Sequence, residues 1–333
     1  MVALQPSSLG LGAGTEFRLI ERALAGAARA GRGVAVGPGD DAAVLDAGPL
    51  AISVDLSIEG VHFRREWMTV EEIGERATRA ALSDLAAMAA EPVAVLLALG
   101  VDGESAADVV PRLVAGGRHA AEACGALVVG GDLARVPAGA PWVVDVVCLG
   151  AARRPVLRSG GEVGDALWVT GRLGGAAQAV RTWEQGGRPD AEALEAFLRP
   201  TPRVREARWL ADAGVLHALI DLSDGLVGDA GHLAAASGLD LLVDAGALPI
   251  HPGVLRRTAD RREAERLALA GGEDYELALL APAGAVEALV DDFQGRFGIP
   301  LTRVGTAVAG PGEVRVRGHD ATPHAFDHFA EPA

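Results

Sequence analysis

The stretch TVEEIGERATRAALSDLAAMAAEPVAVLLALGV, residues 69–101, decides the fold. Thr69 begins a helix with small and apolar residues at helical spacing, and Pro92 stops it, because a proline pushes the residue before it out of the helical region. Residues 93–101 follow as an apolar run of strand length, read as a buried strand. Helix followed by buried strand is the pattern of a mixed α/β domain. One residue disturbs the helix. Asp84 lies seven residues after Ala77, four after Ala80 and four before Met88, which puts a carboxylate on the small, apolar face. A charge buried there costs several kcal/mol unless it is paired or bound to a cation. Mid-helix, it cannot serve as an N-cap. The alternatives are metal ligation and a partly exposed or hydrogen-bonded side chain.

Working outward, residues 1–14 read as a loose tail, and Thr15 as the cap of a helix over 16–30. GRGVAVGPGDDAAVLD (31–46) holds short apolar runs around a Gly/Pro/Asp turn, and 51–56 read as a strand. Downstream, 105–124 read as a helix, 126–129 as a strand ending in Gly130-Gly131-Asp132, and 142–149 as a further strand. The Arg- and Gly-rich AARRPVLRSGGEVGD (151–165) marks a change of composition. The expected organisation is therefore a tail, a first domain over 15–150 and a second over 151–333. In the second, strands are expected at 166–170, 219–222, 239–244, 276–280 and 302–307. Helices are expected at 174–185, 193–198, 204–213 and from about 226 to 236. Pro200 and Pro202 separate two of these helices.

The 333 residues fit two domains. Half are hydrophobic but only 4% aromatic, so the cores are built from Ala, Val and Leu. The net charge of -15 argues against a nucleic-acid or anionic-membrane surface. It also means that a phosphate ligand would need divalent cations between it and the protein. The 30 basic residues are all Arg. Absence of Lys excludes a Walker-type phosphate loop, a protein kinase and a pyridoxal enzyme. Cys124 and Cys148 sit in apolar stretches and read as core. No signal-peptide pattern and no run of about 18 uncharged apolar residues occurs, so a soluble, cytoplasmic protein is expected.

The remaining signal is in carboxylates. Asp40 and Asp41 sit on a tight turn, where adjacent acids can share hard cations or simply favour the turn. Asp55 ends an apolar strand and shares a face with Ser53, two residues away. Asp132 follows two glycines that let backbone approach a ligand. Asp221, Ser223 and Asp224 lie in IDLSDG at a strand-to-helix junction, where a helix N-terminus favours phosphate, although Ser223 or Asp224 could merely cap the helix. GGEDYE (271–276) gathers three acids around the only Tyr; the alternative is a solvated loop. Acids recurring at such junctions in a Lys-free chain suit Mg²⁺ bridging phosphate oxygens.

GPGDDAAVL, ISVDLSIEGVHF, ALSDLAAMAAEP, GGD, LRSGGEVGD, IDLSDGL, GGEDYEL and FDHF occur in an order that resembles thiamine-monophosphate kinase, from Glu16 to Phe329. Looser forms are shared with aminoimidazole ribonucleotide synthetase and other relatives. The resemblance implies a two-domain α/β enzyme whose N-terminal sheet pairs with a second subunit's into a barrel, making a homodimer, and a C-terminal α/β domain that completes the site in a cleft. It implies the reaction of ATP with thiamine phosphate to give ADP and thiamine diphosphate. Carried over by position, several Mg²⁺ ions would be held by Asp41, Ser53, Asp55, Asp84, Asp132, Asp221 and Asp224. Val54 stands where the family often has Thr, so only its carbonyl could serve. Asp84, Asp132 and Asp224 would be central to catalysis. Gly131, Asp132, Arg158 and Ser223 would contact the nucleotide, and His62, Glu273 and Phe326 the thiamine phosphate. A synthetase of the aminoimidazole ribonucleotide type is the competing expectation. It is disfavoured by GGEDYEL and FDHF.

Overall fold

The structure is a computed structural model that describes residues 22–23, 25–26, 33–36, 44–46, 48–319 and 322–323. The tail over 1–14, most of the expected 16–30 helix, Asp40, Asp41 and Phe326 lie outside the described residues. The chain forms two units of mixed α/β structure. One comprises the described residues up to Leu85 together with Glu91–Arg153. The other comprises Ala86–Ala90 and the described residues from Arg154 onward.

In the first unit the expected helix spans Val70–Ala87 (α1). A capping box opens it. Glu72 N–H donates to Thr69 Oγ1 at 3.3 Å, and Thr69 N–H donates to Glu72 Oε2 at 2.9 Å. The second helix is Ala106–Ala123 (α2). Four strands make the sheet: Leu50–Ile58 (β3), Glu91–Asp102 (β4), Leu127–Val136 (β5) and Val143–Ala151 (β6), in the order β3-β6-β4-β5. Only β4 and β5 run parallel; the other neighbours are antiparallel. One face is closed, with Val95, Leu97, Leu99, Val144, Val146 and Cys148 all buried. On the other face a short ribbon, Val34–Val36 (β1) with Val44–Leu45 (β2), covers one end through Val34 and Leu45. The edge strand β3 leaves Leu50, Ile52, Val54 and Leu56 exposed on that same face.

Two expectations are corrected here. Asp55 does not end its strand, which continues to Ile58 because β6 pairs with it along its whole length. Gly130-Gly131-Asp132 is not a loop: β5 runs through it, paired to Leu96, Leu97 and Ala98 of β4. Gly131 is required there, since a Cβ would lie 1.9 Å from the Leu97 carbonyl oxygen.

The second unit is a six-stranded sheet. Its strands are Ala166–Thr170 (β7), Ala218–Asp221 (β8), Asp240–Asp244 (β9), Leu277–Ala281 (β10), Leu301–Val308 (β11) and Val314–Arg317 (β12), in the order β12-β9-β11-β7-β10-β8. Every residue of β7, β8 and β10 is buried, because both faces carry helices. One core holds Leu167, Val169, Ile220 and Leu280 with Leu226, Leu233, Ala268 and Leu269. These last four come from helices Leu226–Ser237 (α6) and Arg261–Ala270 (α8). The other core holds Trp168, Leu219, Leu277 and Leu279 with Val204, Leu210 and Phe293. Helices Gly175–Glu184 (α3), Ala191–Leu198 (α4), Val204–Asp212 (α5), Pro252–Arg257 (α7), Ala283–Glu287 (α9) and Val290–Phe297 (α10) complete the unit. No helix among the described residues is long and apolar enough to cross a membrane.

Candidate active site

In the first unit the strand β3 and the helix α1 bring three of the expected oxygen donors together. Strand alternation puts Ser53 and Asp55 on the closed face, and the Ser53 hydroxyl donates to Asp84 Oδ2 from α1. Asp84 is half-buried rather than sealed in the helix interface, because it meets the edge strand of the sheet and not its centre. Cys148, opposite Ser53 on β6, reports the local field. Burial, then Asp84 and then Asp55, push its thiol far above the usual range. Val54 points to the other face and is 61% exposed, so its side chain is turned away from this group.

Gly131 and Asp132 sit three strands away on β5, roughly 14 Å at ordinary strand spacing. Asp132 is exposed, and its register partner Ala98 faces with Asp145 and Leu56, on the open face. Within one copy of this unit, Asp132 therefore does not join Ser53, Asp55 and Asp84. His62 follows β3. Its Nδ1 accepts the Ile58 N–H at 3.1 Å, which fixes the turn and leaves the ring proton of the neutral imidazole on Nε2.

In the second unit β8 ends at Asp221, which is buried, and runs into Leu222-Ser223-Asp224-Gly225 before α6. Neither Ser223 nor Asp224 caps the helix. The N-cap is Gly225, and the turn is held instead by Asp229, whose Oδ2 accepts the Asp224 N–H at 3.1 Å. Asp229 is 3% exposed. Burial, with Asp221 and Asp224 nearby, pushes its carboxyl up to about 8. Ligand atoms of Asp224, Asp229 and His232 lie within 4.8 Å of one another. The sequence reading missed Asp229 and His232. The available signal was their spacing of three, which places both on one face of the helix that IDLSDG introduces.

Glu273 lies in a loop hydrogen-bonded to this turn. Its N–H donates to the Ser223 carbonyl at 2.7 Å, and the Tyr275 N–H donates to the Leu222 carbonyl at 2.8 Å. The loop is not a solvated one. Asp274 accepts the Gly174 N–H at 2.8 Å, and burial raises its carboxyl well above the ordinary value. Arg158 is exposed, and its carbonyl accepts from the Ser237 hydroxyl at 3.3 Å.

The donor sets fit magnesium: hydroxyl and carboxylate oxygens in the first unit, and crowded carboxylates in the second whose mutual repulsion a hard cation relieves. Softer ligands are few here: Cys148 is buried, and His232 is the one imidazole in a group of three such ligand atoms among the described residues.

The chain matches known proteins over both of its units. Residues 39–152 match the AIR synthase related protein N-terminal domain, and residues 162–317 the corresponding C-terminal domain. A thiamine-monophosphate kinase of Mycobacterium tuberculosis is 34% identical over 324 residues, covering 95% of this chain and 92% of the relative. The crystal structure of thiamine-monophosphate kinase from Stenotrophomonas maltophilia is 34% identical, with a TM-score of 0.78 over 91% of this chain and 96% of that one. AaThiL complexed with AMPPCP and TMP is 27% identical, with a TM-score of 0.73 over 84% of this chain and 87% of that one. With such identity across both of its units, the chain belongs to the thiamine-monophosphate kinase family of AIR synthase-related proteins.

Proposed function

We propose that this protein phosphorylates thiamine phosphate with ATP, releasing ADP and thiamine diphosphate. The observation that carries the reading is the match to thiamine-monophosphate kinases across nearly the whole chain, with the carboxylates of both units inside the matched residues. In this reading Ser53, Asp55 and Asp84 in one unit, and Asp221 and Asp224 in the other, hold magnesium, with Asp41, Asp132 and the Val54 carbonyl added from the family pattern. Held there, magnesium would supply neutralisation of phosphate charge. Arg158 engages a phosphate through its guanidinium fork, which replaces the missing Lys. Gly131 and Ser223 contact the nucleotide, and His62, Glu273 and Phe326 the thiamine phosphate. The nucleophile is a phosphate oxygen already ionised at neutral pH. Transfer in line therefore needs orientation and charge neutralisation and no protein base. Residues 15–150 and 151–333 are the proposed domains, and the cytoplasm the proposed compartment.

The test is direct. Purified protein with ATP and thiamine phosphate should form thiamine diphosphate, followed by chromatography, and excess EDTA should abolish it until magnesium is restored. ATP hydrolysis without that product would overturn the reading and turn the search to aminoimidazole-type synthetase substrates.

The homodimer belongs to the same proposal, and the open face of the first unit supports it. Ile52 is 63% and Val54 61% exposed on an edge strand, an arrangement that invites pairing. Covering each such side chain contributes roughly 1–2 kcal/mol. A second copy on this face would also cover the side that carries Asp132. Light scattering should give a dimer for the wild type and a monomer for Ile52→Glu/Val54→Glu. A wild type that is monomeric at micromolar concentration would contradict it.

A further inference from the structure

Within the second unit, the loop Gly271–Glu276 holds two non-glycine residues in the left-handed region, Glu273 at φ 61° and Tyr275 at φ 50°. Side chains disfavour this conformation, and it persists only where the surroundings impose it. The surroundings are visible. On one side the loop is bonded through Glu273 and Tyr275 to the backbone of Ser223 and Leu222. Gly272 lies so close to that turn that a Cβ would stand 2.8 Å from the Ser223 carbonyl oxygen. On the other side the loop ends in Glu276, which is 5% exposed. Its carboxylate accepts from Arg203 Nε at 2.7 Å and again from the second arm of the same guanidinium. It also accepts from the Thr170 hydroxyl at 2.6 Å. Arg203 is itself only slightly exposed. It follows Pro200-Thr201-Pro202 and lies 73 residues from its partner. A two-armed Arg–carboxylate pair fixes orientation as well as distance.

We propose that Arg203 is a positioning residue: by clamping Glu276 it holds the 271–276 loop in its left-handed conformation and so sets Glu273 against the Ser223-Asp224-Gly225 turn. The inference rests on the reading above, in which Glu273 faces thiamine phosphate and the turn serves nucleotide and metal. In this reading Arg203 acts through Glu276, its two-armed partner. Its effect falls on the thiamine phosphate side, because the turn is held independently by β8 and by Asp229.

The test is the double variant Arg203→Met/Glu276→Gln, which removes the pair without leaving a bare buried charge. Glu206 lies 3.7 Å from Arg203, and burial raises its carboxyl above its ordinary value, so losing Arg203 shifts it further toward the neutral form. The folded variant should show Glu273 and Tyr275 amide exchange at least tenfold faster. Its KM for thiamine phosphate should rise at least tenfold, with KM for ATP changed less than threefold. Arg203→Lys, which keeps the charge and loses the fork, should fall between, and it decides the question if the double variant does not fold. Unchanged exchange and KM in a folded variant would overturn the proposal, as would equal rises in both KM values. If the wild type makes no thiamine diphosphate, the functional reading fails, while the exchange rates still decide whether Arg203 locks the loop.

Discussion

Asp84→Ala should lower kcat/KM for thiamine phosphate by about 10²–10³-fold, roughly 3–4 kcal/mol of transition-state stabilisation, while the protein stays folded. The carboxylate sits where a helix faces an edge strand, joined to Ser53 and sharing its side of the sheet with Asp55. Two acids and a hydroxyl share one small surface of the sheet. They make a good cradle for a hard cation. Removing Asp84 should therefore raise the magnesium concentration needed for half-maximal rate, and added magnesium should restore part of the loss. Asp84→Asn keeps the shape and loses the charge, so it should show the same shift in magnesium dependence. The fold should persist, since alanine is the better helix former and its gain in propensity offsets part of the lost Ser53 hydrogen bond. A variant within threefold of wild type at limiting magnesium would remove Asp84 from the metal site and leave it a structural role that includes the Ser53 hydrogen bond.

Much of this could be read from the amino-acid order, and the reasons differ by residue. Helix α1 announces itself through Thr69, its periodic small residues and Pro92, all local signals. Asp84 stands out because a charge on an apolar helical stripe is visible without coordinates. What could not be read depends on partners distant in sequence. The glycines before Asp132 signal a turn locally, yet β4 recruits them into a strand, because pairing with Leu96 and Leu97 overrides the local preference. The helices Pro252–Arg257 and Arg261–Ala270 were not expected: they are short, and the second is crowded with Arg and Glu, which weakens its apolar pattern. The strand Val314–Arg317 alternates Val with Arg over four residues, too few for a period to show. Glu276 reads as one acid among three in a loop until Arg203 appears beside it. Asp41 and Phe326 lie outside the described residues, so their proposed roles rest on the family pattern alone.

The second large effect is expected at Gly116→Val, which should destabilise the first unit by about 3 kcal/mol or more, lowering its Tm by roughly 6–12 °C. Helices α1 and α2 meet backbone to backbone. A Cβ on Gly116 would lie 1.9 Å from the Glu71 carbonyl oxygen, and a Cβ on Gly74 would lie 2.0 Å from that of Leu113. Both distances are far inside van der Waals contact, and the obstacle in each case is backbone, which cannot swing aside as a side chain would. Interhelical distance follows the side chains at the crossing, so valine must push the helices apart. Separation strips packing from Ile73 and Leu113, both fully buried, and stretches the two-armed pair of Arg112 with Glu71 at 2.7 and 2.9 Å. Ala123→Val, at an exposed position of the same helix, is the control and should cost only the helix propensity of valine, about 0.5 kcal/mol. Asp84 rides on α1, so a milder displacement should reach the chemistry. Gly116→Ala meets the same carbonyl with one carbon only, and in protein that remains folded it should raise the magnesium requirement in the direction of Asp84→Ala. Calorimetry and magnesium titration of the three variants separate the two outcomes. A Gly116→Val protein that melts like wild type would mean that the helices do not touch at this crossing, and a folded Gly116→Ala protein with unchanged magnesium dependence would mean that the position of α1 does not govern Asp84.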